Sequence, residues 1–136
     1  MDNFKKWFWE RHSNKWGVIT RFIAFFLVVP AVWFHNFKSA SGLLLFLIFN
    51  FIFFPKPART DNFFTKSVFG EEMWFKEDAF NLFQIFIGII AFVILLFSAY
   101  YNLAALTIIF FIGILGWKIL FMQRMAQYYD ERKSAV

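Results

Sequence analysis

Hydrophobic and polar positions fall in long blocks along the chain, not at the period of two that marks a strand. Four apolar runs stand out, at residues 17–34, 40–54, 80–101 and 103–122. As helices rising ~1.5 Å per residue they reach roughly 27, 22, 33 and 30 Å, against a hydrocarbon core about 30 Å thick. The pattern predicts an all-α membrane protein with four transmembrane helices arranged as two hairpins. The last two runs span with ease. The first two are short, and Pro30 lies inside the first, so they predict either a tight hairpin that crosses with local thinning of the bilayer, the favoured reading, or a hairpin that does not fully cross.

The segments between the runs carry their own patterns. Residues 1–13 predict an amphipathic interfacial helix, with Phe4, Trp7 and Phe8 on one face and Lys5, Lys6 and Glu10 elsewhere. Ser13 or Asn14 is placed to cap the first span. Residues 55–79 alternate aromatics with charges, which predicts a structured middle loop and not a linker. There Pro55 ends the second helix and Pro57 stiffens the exit. Asp61 is placed to cap a short helix carrying Phe63, Phe64 and Val68, and Gly70 to end it. Residues 123–136 read as a tail, and the whole as a single membrane domain.

Charge sets the orientation. Lys5, Lys6, Arg11 and Lys15 precede the first run, Lys56, Arg59, Lys66 and Lys76 occupy the middle loop, and Arg124, Arg132 and Lys133 follow the fourth run. The first hairpin turn has Lys38 alone and the second has no charge. The positive-inside rule then predicts a multi-pass protein of the cell (inner) membrane with both termini and the middle loop cytoplasmic. Trp7, Trp9, Trp16 and Trp74 form the inner aromatic belt, Trp33, Tyr100 and Tyr101 the outer one, and Lys118 snorkels inward beside Trp117. Lys38 would stand at the −3 position of a cut after Ala40, so the first run reads as an uncleaved membrane segment and not a signal peptide.

Composition narrows the function classes. The chain has 136 residues, 60% hydrophobic and 17% charged, more apolar surface than a soluble domain of that size can hide. Its 24 Phe read as lipid-facing bulk before an aromatic cage. The net charge of +5 flanks the apolar runs, a pattern of topology and anionic lipid, and no stacking platform points to nucleic acid. The absence of Cys excludes disulfides, thiolate metal sites and cysteine nucleophiles. No H-E-x-x-H, glycine-rich phosphate loop or G-x-S-x-G occurs. Glu71 and Glu72, like Glu77 and Asp78, are sequence neighbours that point apart on a helix, so they suggest no acid/base dyad. The chain is expected not to be an enzyme and to need no cofactor. A metal held by His12, Glu71 and Glu72 is chemically conceivable, but no spacing demands it.

Arg21 raises the sharpest question, because it sits about one turn inside the first run. It can snorkel to the headgroups, pair with Glu71 or Glu72 and so pin the middle loop, or serve a ligand site. The candidate polar cluster is Arg11, His12, Asn14, Arg21, Asn50, Asp61, Glu71 and Glu72. Asn50 is expected to bond across to the first span. Gly88, Ala91, Ser98, Ala105, Gly113 and Gly116 are small enough for close helix contact, within one chain or between copies.

Two blocks carry a resemblance. The first holds Arg11, His12, Asn14, Thr20 and Arg21; the second holds Asn50, Phe54, Pro55, Pro57, Gly70, Glu71 and Trp74. Over roughly the first 75 residues they resemble an uncharacterised family of small bacterial and archaeal integral membrane proteins. Lys15 and Phe51 stand where that family often has proline. The resemblance implies no activity; it implies that the cluster around Arg21 is shared by the family. The leading expectation is a non-enzymatic membrane protein that binds a lipid headgroup or a membrane partner through the cytoplasmic-face Arg/His/Glu cluster. The alternative is a small oligomeric transporter or channel, with a homo-oligomer as the assembly.

Overall fold

The computed structural model describes residues 2–135, apart from the side chains of Ala79 and Phe80. Met1 and Val136, the outer ends of the expected interfacial helix and tail, lie outside the described residues. The described residues form six helices: α1 (Asp2–His12), α2 (Lys15–Trp33), α3 (Phe37–Phe53), α4 (Phe63–Glu77), α5 (Ala79–Tyr100) and α6 (Ala104–Ser134). Three of them, α2, α5 and α6, are long and apolar enough to cross a membrane. The apolar α3 is shorter, at 17 residues.

Asparagines start three of these helices, because a short amide side chain can satisfy the free N–H groups of a first turn. Asn14 accepts from the backbone N–H of Trp16 and Gly17, Asn36 from Ser39 and Asn62 from Thr65. The cap of α2 is thus Asn14 and not Ser13, and the cap of α4 is Asn62 and not Asp61. Gly70 does not end α4. The helix runs seven residues further to Glu77, held by packing against α6. Nor is the segment after residue 122 an irregular tail: α6 continues through it for 31 residues in all. Its last turns lie under α4 and gain their stability from that contact.

Helices α2 and α3 form one hairpin, α5 and α6 a second, and α2 packs on α5 to join them. Each hairpin turn contains a residue in the left-handed region, His35 at φ 54° and Asn102 at φ 54°. Asn102 ties the turns together by donating from Nδ2 to the Trp33 carbonyl at 3.0 Å. Beside it, Thr107 Oγ1 donates to Ser98 Oγ at 3.0 Å between α5 and α6. Val29, Leu95, Ala99 and Ile114 make the core at this end. At the other end α1 and α4 close the bundle over Val18, Val68 and Met122. The outward faces are apolar and open, with Ile109 and Leu120 both 66% exposed, as lipid contact requires.

The glycines divide into two kinds. A Cβ on Gly70 would stand 1.9 Å from the Met125 carbonyl oxygen, so α4 and α6 touch backbone to backbone there. Lys66–Asp130 and Arg132–Glu77 pair at the edges of the same contact. A Cβ on Gly113 or Gly116 would meet nothing within 4 Å. These two residues therefore serve no close packing inside the chain.

Candidate functional site

The site is assembled at the junction of α1 and α2. Asn14 breaks the helix there, and its side chain does double duty: Oδ1 caps α2 while Nδ2 donates to the Pro55 carbonyl at 2.9 Å. Arg11 donates from Nε to Phe51 O at 3.0 Å and from Nη2 to Ile52 O at 2.9 Å. Carbonyls at a helix end lack partners within the helix, so Arg11 and Asn14 fasten the α1–α2 junction onto the end of α3. Thr65 adds a buried bond from α4, donating to the Ser13 carbonyl at 2.8 Å.

Arg21 lies nearly two turns into α2 and is held by that junction. Its Nη1 donates to His12 Nδ1 at 2.9 Å and to Asn50 Oδ1 at 3.3 Å, and Nη2 donates to the His12 carbonyl at 3.0 Å. Asn50, 1% exposed, donates in turn to Thr20 Oγ1 at 3.2 Å. The partners of Arg21 thus come from α1 and α3. The ion pair with Glu71 or Glu72 expected from the sequence is not formed: Glu72 pairs with Lys76 at 2.7 Å, one turn on, and Glu71 has no ion-pair partner among the described residues. A neighbouring lysine on its own helix satisfies Glu72 at lower entropic cost than a reach across the bundle. Asp61 is exposed on the α3–α4 connection and does not join the cluster. His12, Glu71 and Glu72 do not converge as a metal-ligand set among the described residues.

A guanidinium only donates, so His12 Nδ1 must be the acceptor and the ring is neutral, with its proton on Nε2. Phe8 stacks on that ring with centroids 4.9 Å apart. Burial, and then the charges of Arg21 and Lys118, push the His12 pKa down from 6.5 to about 3. The sign follows: between those values the unfolded chain binds a proton that the folded chain refuses, so stability falls as pH drops from 6.5 toward 3. His12→Gln keeps an acceptor for Arg21 but cannot titrate. Thermal melts in detergent across pH 7 to 5 are expected to show a shallower acid loss in His12→Gln than in the natural chain; parallel curves would remove His12 as the source.

Below Arg21 lies a cavity of about 220 Å³. His12, Arg21, Ser67, Glu71 and Lys118 supply its polar lining, and Phe22, Phe25, Leu47 and Met122 contribute to its apolar lining. Sequence reasoning missed Lys118 as a site residue. It is the one charge within the fourth apolar run, a signal that also suits snorkelling, and only the packing of α6 against α2 and α4 turns it toward His12, Arg21 and Glu71. Burial raises the Glu71 carboxyl above its ordinary value, while the charges of Lys118 and Arg21 oppose that rise. Arg21 has five N–H donors, and its three bonds leave Nε–H and one Nη2–H. With His12 on the end of the guanidinium, these two form the side-on fork that suits a phosphate or carboxylate.

The architecture is that of an all-α protein built to the lengths and apolarity of a helical membrane protein, with a polar cavity walled by helices at one end. The chain belongs to the family of unknown function DUF6653, which it matches over residues 4–136. That match takes in α5 and α6, beyond the 75 residues that carry the sequence blocks. No curated protein and no solved structure matches the chain.

Proposed function

We propose that this protein is a non-enzymatic integral membrane protein that binds a phosphate-bearing lipid headgroup in the cavity lined by α1, α2, α3, α4 and α6. In this reading α2, α3, α5 and α6 all cross the inner membrane, and α1, α4 and both termini lie on the cytoplasmic side. Three observations support the orientation: Lys5, Lys6 and Arg11 on α1, Lys66 and Lys76 on α4, and Arg124, Arg132 and Lys133 on α6 all gather at the cavity end. The α3 helix, at 17 residues, crosses a bilayer thinned around the first hairpin.

The observation that carries the proposal is the state of Arg21. A snorkelling arginine is free to move; this one is fixed by His12 and Asn50, with an unused fork beside a cavity that also holds Lys118. Preorganised donors of this kind bind an anion without the entropic cost of ordering a long side chain. Native mass spectrometry of the protein released gently from its own membrane is expected to find a retained phospholipid, lost in Arg21→Lys, which keeps the charge but not the fork. Equal retention in both proteins would count against the site.

A further inference from the structure

Glu71 is the feature that a simple anion site does not explain. Its carboxyl lines the same cavity as Arg21 and Lys118, close enough for both charges to act on it. Yet it makes neither a hydrogen bond nor an ion pair within 4.0 Å among the described residues. Among the described residues Lys118 likewise has no carboxylate within 4.0 Å; its ammonium lies 5.9 Å from the centroid of the Phe121 ring. Two cations and an acid share one small space and none of them closes on another.

A ligand carrying only negative charge would meet the two cations but be repelled by Glu71. A ligand carrying both signs meets all three. Resting on the headgroup reading above, we infer that the cavity takes a phosphoethanolamine headgroup, with its phosphodiester on the Arg21 fork and Lys118 and its primary ammonium on Glu71. The ammonium is primary because a carboxylate oxygen accepts its N–H bonds, which a quaternary ammonium cannot offer. The apolar lining of Phe22 and Phe25 leads from the charged end along α2 toward the middle of the bundle, where the glycerol and the start of the acyl chains would lie.

The test uses the full chain in detergent micelles, titrated with phospholipids of identical acyl chains whose headgroups are phosphoethanolamine, phosphocholine, phosphoglycerol or bare phosphate, and read by native mass spectrometry. The expected result is that the phosphoethanolamine lipid binds at least about tenfold tighter than the other three, the worth of one charge-assisted bond. Glu71→Gln should abolish that preference and strengthen binding of the phosphoglycerol lipid, because the repelling charge is removed. Arg21→Lys should weaken all four. Soluble O-phosphoethanolamine should displace the bound lipid better than inorganic phosphate does. Preference for the phosphoglycerol or bare-phosphate lipid, or a phosphoethanolamine preference that survives Glu71→Gln, would overturn the inference and leave the headgroup site standing. Binding of none of the four lipids would overturn both. Should Glu71→Gln fail to fold, Glu71→Met, which removes the acceptor and keeps the bulk, must lose the preference in its place.

Discussion

Arg21→Ala is expected to destabilise the protein by about 3 kcal/mol, within the range for removing one partner from a buried charged network. The substitution leaves Asn50 Oδ1, His12 Nδ1 and the His12 carbonyl without their donor. Because Arg21 bonds to the end of α1 and not to α4, the damage should appear first at the α1–α2 junction. Thermal melting in detergent should drop, and protease cleavage should increase between His12 and Lys15. Lys38→Ala, at an exposed position, should do neither. Arg21→Lys should recover part of the loss, since an ammonium restores the charge but cannot reproduce a planar set of donors. An Arg21→Ala protein as stable as Lys38→Ala would mean that Arg21 does nothing a free snorkelling side chain could not do.

Gly70→Val should have a comparable effect for a different reason. The added Cβ would stand 1.9 Å from the Met125 carbonyl oxygen and 2.7 Å from its carbon. No rotamer relieves a contact with backbone, so α4 and α6 must separate. A cost of about 3 kcal/mol, at the upper end of ordinary overpacking, is expected. Gly113→Ala is the matched comparison: its Cβ meets nothing within 4 Å, and it should be neutral or stabilise the helix by up to about 1 kcal/mol. Equilibrium unfolding of the two variants side by side checks both. If Gly70→Val unfolds like the natural chain, the backbone contact between α4 and α6 is not made in the membrane.

These two glycines show where the sequence stops being informative. Both sit in helices, and both were candidates for a packing or breaking role. Gly70 follows a short aromatic segment and looks like a terminator. It is instead the point of closest approach of two helices, because α6 runs on past residue 122 and offers its backbone there. No local pattern around Gly70 records that neighbour.

The site was legible in the same partial way. Arg11, His12, Asn14, Arg21 and Asn50 stand out in sequence as polar residues beside or inside apolar runs, and the structure links Arg21 to His12 and Asn50 by hydrogen bonds. Asp61 has an equally promising sequence context and lies outside. Lys118 looked like a snorkelling residue and faces the cavity.

By itself the sequence determined the helical class and four apolar runs, three of which form helices of spanning length, and it narrowed the start of α2 to Ser13 or Asn14, since hydrophobic period, run length and capping preference are local properties of the chain. The tertiary structure alone decided the partners of Arg21, the fate of Gly70 and the place of Lys118. Those depend on which face of one helix meets which face of another, and that is settled by side-chain fit between segments far apart in the chain.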